Sequence, residues 1–350
     1  MSLRRGTPTI KDVARESGVS IKTVSRALNN ESGVRAGTAE RVRRAASELG
    51  YSVNLAARQL VSGRTGSIGI LVFASTHWQW TADLVSGALM ASRAKGYGLA
   101  PFVLEQYESA EREAILWLAS RHAVDGVILT TPWNENAQLH AELRERGMPF
   151  VLLPAPPESD EAGVRSKDAE GAAELTRHLL ELGHRRIALL GGQPGIDLTR
   201  IKVAGFEAAL REVGIDPARL PRVLADYSFE TGLRCARALL ASKPRPSAIF
   251  CLSDLLGAAA IRAAHEGGLR VPQDISIVGM GDQRAGQIVW PPLTTVAIPT
   301  EQMAGRAAEL LIEHIRYGAN APGQMVFDTS LIVRGSSGPA PGRDRNDDDS

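Results

Sequence analysis

The sequence predicts an all-α N-terminal head and hinge helix followed by an α/β body of two doubly wound parallel-sheet lobes. Three observations carry that expectation. Two short amphipathic helical stretches meet at Gly18. Near Ser67 the pattern changes to short apolar runs interleaved with helical stretches, and near Ala169 that alternation starts again. Alternating strands and helices are the signature of parallel, helix-covered sheets.

In the head, Thr9 caps a first helix with Asp12 three residues on, and Ile10, Val13 and Ala14 form its apolar stripe. Gly18 breaks that helix and Ser20 caps a second. Successive residues of the second helix turn by about 100°, which places Val24, Ala27 and Leu28 on one face. Ile21, Lys22, Ser25, Arg26 and Asn29 fall on the other, a polar, cationic face that does not need burial. A third helix from Thr38 to Leu49 offers Val42, Ala45, Ala46 and Leu49 to close a small core. This is a helix-turn-helix arrangement. Charge agrees with it: residues 1–65 hold 12 Lys/Arg against 5 Asp/Glu, a net of +7, whereas the whole chain holds 40 against 39. The remainder therefore carries −6, and a basic head on an acidic body is what attraction to phosphate requires.

The stretch Asn54–Leu60 has helical composition but is too short to persist alone in water, where isolated helices need roughly 12 to 15 residues. It is expected to fold against a partner, with Ser62–Gly66 as a flexible exit. An ordinary linker helix with Leu60 packed on the body is the alternative.

In the body, S-I-G-I-L-V-F, L-A-P-F-V-L, V-D-G-V-I-L-T and P-F-V-L-L-P read as strands. Helices are expected near 82–95, 110–121 and 136–146. The second lobe reads as helices near 169–182, 202–213 and 255–266 with strands R-I-A-L-L, A-I-F-C-L and I-S-I-V-G-M. A return segment, T-T-V-A-I-P and a helix over 300–317, is expected to rejoin the first lobe, with crossovers near 157–165, 290–295 and 319–325. Two lobes with a cleft between them can close on a small molecule. The expected divisions are 1–52 head, 53–66 hinge and linker, 67–334 body and 335–350 a disordered tail with nothing to bury.

Composition narrows the function. A length of 350 residues and 44% hydrophobic content suit two or three domains with real cores. No apolar run approaches the roughly 18 residues of a membrane span, and no signal-peptide core precedes the first helix, so a cytoplasmic protein is expected. Cys235 and Cys251 lack metal spacing and read as buried thiols, and no metal or cofactor is expected. There is no G-x-x-x-x-G-K-[ST], G-x-G-x-x-G after the first strand, H-E-x-x-H or G-x-S-x-G. Gly191, Gly192 and Gly195 follow a strand without the needed spacing, and His184 reads as a capping or packing residue. The chain is expected not to be an enzyme. A Rossmann-type oxidoreductase, or a sugar-binding protein without DNA function, are the alternatives.

The head resembles the lactose/galactose repressor family of bacterial transcription regulators. The resemblance continues through V-D-G-V-I-L, L-G-H-R-R-I-A-L-L-G, A-G-F-E-A-A-L and P-P-L-T-T-V to about Arg334. It implies a periplasmic-binding-protein-like body and a homodimer on near-palindromic, double-stranded operator DNA, since the tail has no apolar heptad for higher assembly. Phosphate and groove contacts are implied for Thr9, Ser20, Thr23, Ser25, Asn29, Thr38 and Tyr51, and base reading for Ile21, Lys22 and Arg26. Arg26 has the fork for guanine and Lys22 can donate to the same atoms, so a G-containing half-site is expected. The hinge contacts are Asn54, Ala57 and Leu60, with Leu60 wedging into the minor groove.

The ligand grip departs from the family pattern. Positions that hold an arginine, an asparagine and an aspartate in many relatives hold Lys202, Ser253 and Gly281 here. Loss of a carboxylate at Gly281 with retention of a cation at Lys202 points to an anion, provided Asp282 turns away or pairs with Lys202. G-M-G-D with Lys202 resembles gluconate-responsive members, which makes the expected effector a sugar acid. Trp78 and Trp80, expected in a loop with Ser75 after the first strand, suit a sugar ring instead; packing between lobes or at a dimer face is the alternative. Thr130, Trp133, Tyr227 and Asp282 complete the expected effector contacts, and Arg200 either assists or stays on the surface. The whole reads as a repressor of carbohydrate-utilisation genes controlled by a sugar or sugar acid.

Overall fold

Thr9 begins the first helix as its side chain and spacing require. In the computed structural model, which describes residues 8–28, 33–51, 64–73, 78–104, 109–121, 123–192, 196–318 and 323–342, the Asp12 carboxylate accepts both the Thr9 backbone N–H at 3.0 Å and its hydroxyl at 2.7 Å. Helix α1 runs Ile10–Ser17 and ends at Gly18, whose φ of 69° is left-handed and suits a residue without a Cβ. Ser20 starts α2, Ile21–Leu28, by accepting the Thr23 N–H at 3.1 Å. Helix α3 spans Ala36–Glu48, beginning two residues earlier than the sequence suggests. Val13, Val24 and Val42 are fully buried and form, with Ala27, Ala39, Ala45 and Ala46, the core of this first unit, Met1–Thr65.

The second unit, Gly66–Ser350, holds two six-stranded sheets. The first has the order β11-β5-β4-β3-β1-β2 and is parallel throughout, built from β1 Ser67–Phe73, β2 Gly98–Leu104, β3 Val127–Thr130, β4 Phe150–Leu153, β5 Gly163–Ser166 and β11 Gln324–Phe327. The second has the order β12-β10-β9-β8-β6-β7, from β6 Ile187–Leu190, β7 Arg222–Val223, β8 Ala248–Cys251, β9 Ser276–Gly281, β10 Thr294–Ala297 and β12 Ser330–Ile332. Only β12 of these runs antiparallel, against β10. Period-2 alternation sends neighbouring residues of each strand into opposite cores. Ile128, Val151 and Leu153 face the core built on α4, Trp78–Ala94, and α12, Thr300–Tyr317. Val127, Leu129 and Leu152 face α5, Ser109–Ser120, and α6, Ala137–Glu145. In the second lobe Ile187 and Phe250 pack with α7, Asp168–Glu181, and α8, Asp197–Glu212. Leu190 and Ile249 pack with α9, Phe229–Ala241, and α10, Asp254–Glu266. Cover on both faces explains why these strands read as continuous apolar runs.

Four sequence expectations change. The chain leaves the first lobe between β5 and α7, returns between β10 and α12, and leaves again between β11 and β12. Each crossing lies a few residues later than expected, and T-T-V-A belongs to the second sheet, in register with β9 from Thr294 opposite Val278. Trp78 and Trp80 open α4 and are not in a loop. Helices α9 and α11, Arg284–Ile288, and strands β5, β7, β11 and β12 are not among the expected elements. The tail does not lose order at Gly335: Ser336 is fully buried, donates to the Ile277 carbonyl at 2.5 Å and accepts the Thr294 N–H at 2.8 Å. Small polar residues hold this segment by hydrogen bonds, so the search for apolar side chains overlooked it. His184, also fully buried, bonds to Ser247, Ser276 and the Gly338 carbonyl at 2.9 to 3.0 Å. Both cysteines are buried, and no helix among the described residues is long and apolar enough to cross a membrane.

Candidate functional site

The first unit presents one helix face. Val24 and Ala27 turn inward, and Ile21, Lys22 and Arg26 lie exposed on the opposite side of α2, with Ile21 at 45% exposure. An isoleucine left that open beside two cations has no folding reason to be apolar. Thr23 and Ser25 are half-buried on the same helix. Thr9 and Ser20 are exposed, and their hydroxyls also serve the helix starts. Hydrogen bonds from Thr9 hold the Asp12 carboxyl below its ordinary range. Thr38 sits half-buried in the first turn of α3, and Tyr51 packs half-buried against the core after donating its N–H to Ala46 at 2.8 Å. Asn29, Asn54, Ala57, Leu60 and Ser75 lie outside the described residues, as does the side chain of Trp78.

In the second unit the expected ligand contacts divide. Thr130 is fully buried and donates to the Leu71 carbonyl at 2.5 Å. Trp133, 2% exposed, packs in the first-lobe core near Phe73, and Trp80 lies half-buried on the core beneath α4 and α12. Tyr227 shares a 3.2 Å hydrogen bond with Thr199, and Ser253 caps α10 by accepting the Leu256 N–H at 3.3 Å. Asp282 takes a φ of 52° and pairs with Arg334 at 2.5 Å. The expected alternative of a pair with Lys202 is therefore corrected: Asp282 does turn away, toward a cation of the C-terminal strand region.

Lys202, 6% exposed, donates to the Leu252 carbonyl at 3.5 Å and acts electrostatically on Asp168 and Asp254. Both carboxyl groups escaped the sequence reading, where an acid in the first turn of a helix looks like an ordinary dipole partner. Asp254 is fully buried and accepts the Thr295 hydroxyl at 2.6 Å and the Gln283 N–H at 2.5 Å. Burial pushes it up to about 6 against the pull of those donors and of Lys202. Asp168 accepts the Ser166 hydroxyl at 2.5 Å; burial raises it as well, and Lys202 opposes the rise.

A cavity of about 250 Å³ lies between the two lobes. Asn134, Glu135 and Arg165 reach it from the first lobe, and Asp168, Asp197 and Ile201 from the second. No expected effector residue lines it, although Asn134 adjoins Trp133 and Ile201 adjoins Lys202. Its proximity to the ligand-grip positions was legible; its own lining was not. Glu135 accepts the Asp197 N–H at 3.0 Å, and burial pushes its carboxyl up to about 7. The amide of Asn134 donates to the Pro154 carbonyl at 2.6 Å, yet its Oδ1 and the Oδ1 of Asp168 are buried with no hydrogen-bond partner. Arg200 bridges Asp197 at 2.9 Å and Glu158 at 3.6 Å while 59% exposed, which is the surface role.

With that geometry in view, two family models match. One described as bacterial regulatory proteins, lacI family, covers residues 9–54, and one described as a periplasmic binding protein-like domain covers 176–337. The chain is 34% identical over 342 residues to the HTH-type transcriptional regulator CelR of Thermobifida fusca, covering 95% of this chain and 99% of that protein. It is 30% identical over 332 residues to the ribose operon repressor of Escherichia coli strain K12, covering 94% and 99% respectively. Among solved structures, a CelR–cellobiose complex matches with a TM-score of 0.71 and 30% identity over 94% of this chain and 100% of that one. The lac repressor dimer bound to operator and the anti-inducer ONPF matches with a TM-score of 0.79 and 27% identity over 95% and 99%.

Proposed function

We propose that this chain, which belongs to the lacI family of bacterial regulatory proteins, is a dimeric repressor of carbohydrate-utilisation genes. The family assignment makes it a DNA-binding transcriptional regulator with an effector-binding, periplasmic-binding-protein-like domain, and not an enzyme. The observation that carries the DNA-reading part of this proposal is the outward face of α2, where Ile21, Lys22 and Arg26 stand exposed on a head of net charge +7. Arg26 and Lys22 donate to guanine edges and Ile21 meets a thymine methyl; Thr9, Ser20, Thr23, Ser25, Asn29, Thr38 and Tyr51 position the head on the backbone. Asn54, Ala57 and Leu60 serve the minor groove. The protein acts in the compartment that holds the chromosome, divided into head 1–52, hinge and linker 53–66, and body from residue 67.

A neutral sugar is the effector class the cavity favours. Among the described residues its wall holds Glu135, Asp168, Glu170 and Asp197 against the cation Arg165. The CelR complex holds cellobiose, and the E. coli relative is the repressor of a ribose operon. A sugar acid of the gluconate type is the second reading, supported by Gly281 and Lys202. Against it, the ammonium of Lys202 already faces two buried carboxyl groups.

Selection from random duplexes tests the DNA-reading assignment. The parent should enrich a near-palindrome with guanine in each half-site, and Lys22→Ala should lose preference at that base. An unchanged preference in the variant refutes the assignment of Lys22, and absence of salt-sensitive binding to any duplex refutes the function.

A further inference from the structure

We propose that Glu135 is a proton-sensitive latch between the two lobes: its neutral carboxyl group favours the closed arrangement and its charged form disfavours it. Glu135 closes the 3-10 turn Trp133–Glu135 after β3 of the first lobe. Its Oε1 accepts the N–H of Asp197, the first residue of α8 in the second lobe, at 3.0 Å. This is a direct hydrogen bond across the cleft, made at a wall of the cavity. The same wall contains Asn134 and Asp168, 2% and 4% exposed, each with a buried Oδ1 that has no hydrogen-bond partner. A protonated carboxyl still accepts the Asp197 N–H through its carbonyl oxygen, whereas a carboxylate accepts it as well but adds a charge to a wall already lined by Asp168, Glu170 and Asp197.

The groups around Glu135 pull in both directions: the Asp197 N–H and Arg200 favour its charged form and the Asp197 carboxylate repels it, with Arg200 shared with Asp197 and Glu158 and 59% exposed. Asp168 and Glu170 add negative charge to the cavity wall, and the guanidinium of Arg165 is bonded to Gln324 at 3.0 Å. Burial is the largest influence and outweighs the pull of the Asp197 N–H and of Arg200, so the carboxyl rises from 4.5 to about 7. In an open molecule water restores the ordinary value. The closed form therefore binds the proton more tightly, so closure gains as pH falls below about 7 and loses as pH rises through it. The full displacement bounds the effect at roughly 300-fold, and the partial solvation of a half-buried side chain brings the expected change to about tenfold. Glu135 is thus a positioning residue that makes effector affinity depend on pH.

The inference rests on reading the second unit as a two-lobed sensor, but its test uses neither DNA nor ligand, so the two can fail separately. Spin labels on Glu145→Cys in the first lobe and Lys243→Cys in the second occupy exposed positions, and the native cysteines are buried. Double electron–electron resonance on the full chain should show short interlobe distances gaining about tenfold over long ones between pH 8 and pH 5.5. Glu135→Gln, neutral at every pH and equipped with an amide donor, should hold short distances at both. Asp197→Asn, which removes the repelling charge, should move the midpoint to lower pH. A parent distribution that ignores pH, or a Gln variant that keeps the parent's response, overturns the proposal. Should circular dichroism show Glu135→Gln to be unfolded, an unmoved midpoint in Asp197→Asn overturns it alone.

Discussion

At the residue scale, the ammonium of Lys202 is nearly dry and attracts the buried carboxyl groups of Asp168 and Asp254, so its removal takes that attraction from both. Loss of a buried cation's attraction destabilises charged carboxyl groups that cannot reach water. Lys202→Met is therefore expected to lower the urea midpoint strongly at pH 8. The sign of the pH dependence follows from Asp254, already raised from 3.8 to about 6. Below that value the carboxyl is neutral and needs no partner, so the loss should shrink at pH 5.5; an equal loss at both pH values would show that Lys202 acts through packing alone. Lys202 was legible as a departure from a family position, but its partners were not. Asp168 and Asp254 lie 34 residues before and 52 residues after it in the chain, and nothing local links them. The base-facing residues of α2 were legible because a helix of eight residues sorts its own faces.

At the element scale, α7 and α8 approach closely where Gly205 meets Ala169. A Cβ at Gly205 would lie 2.0 Å from the Ala169 carbonyl oxygen, inside any allowed contact with backbone. Gly205→Ala must push the helices apart, and overpacking of this kind costs about 3 kcal/mol. The expected outcome is a thermal midpoint several degrees lower, with α8, whose first N–H reaches Glu135, displaced from the cavity. A variant as stable as the parent would show that the helix pair slides freely. Element existence was readable wherever a long periodic stretch or a fully buried strand occurred, as in α12 and β8. The edge strands β7, β11 and β12 escaped because two to four mixed residues carry no period; pairing with a neighbour makes them strands.

At the scale of the whole molecule, a regulator of this kind responds only to a ligand that binds its states unequally, and any ligand of the native state raises apparent stability by mass action. At one hundred times its dissociation constant the gain is about 2.7 kcal/mol, roughly a 5 °C shift for a unit of this size. Cellobiose or ribose should produce such a shift and gluconate a smaller one, because the described residues of the cavity wall bring four carboxyl groups against one guanidinium. A larger shift with gluconate would reverse the effector assignment in favour of the sugar acid. Thermal melts with each compound at equal concentration decide between them.

The linear chain was sufficient for whatever short-range rules govern: helix phasing in the head, the charge difference between its first 65 residues and the rest, and the repeated alternation that makes two lobes. Tertiary structure alone decided where the chain crosses between the sheets, that Arg334 pairs with Asp282, and that Glu135 meets the start of α8. The reason is physical. Periodicity and capping act over one or two turns, whereas strand order, buried ion pairing and a carboxyl raised to about 7 depend on which distant segments exclude water from the same space.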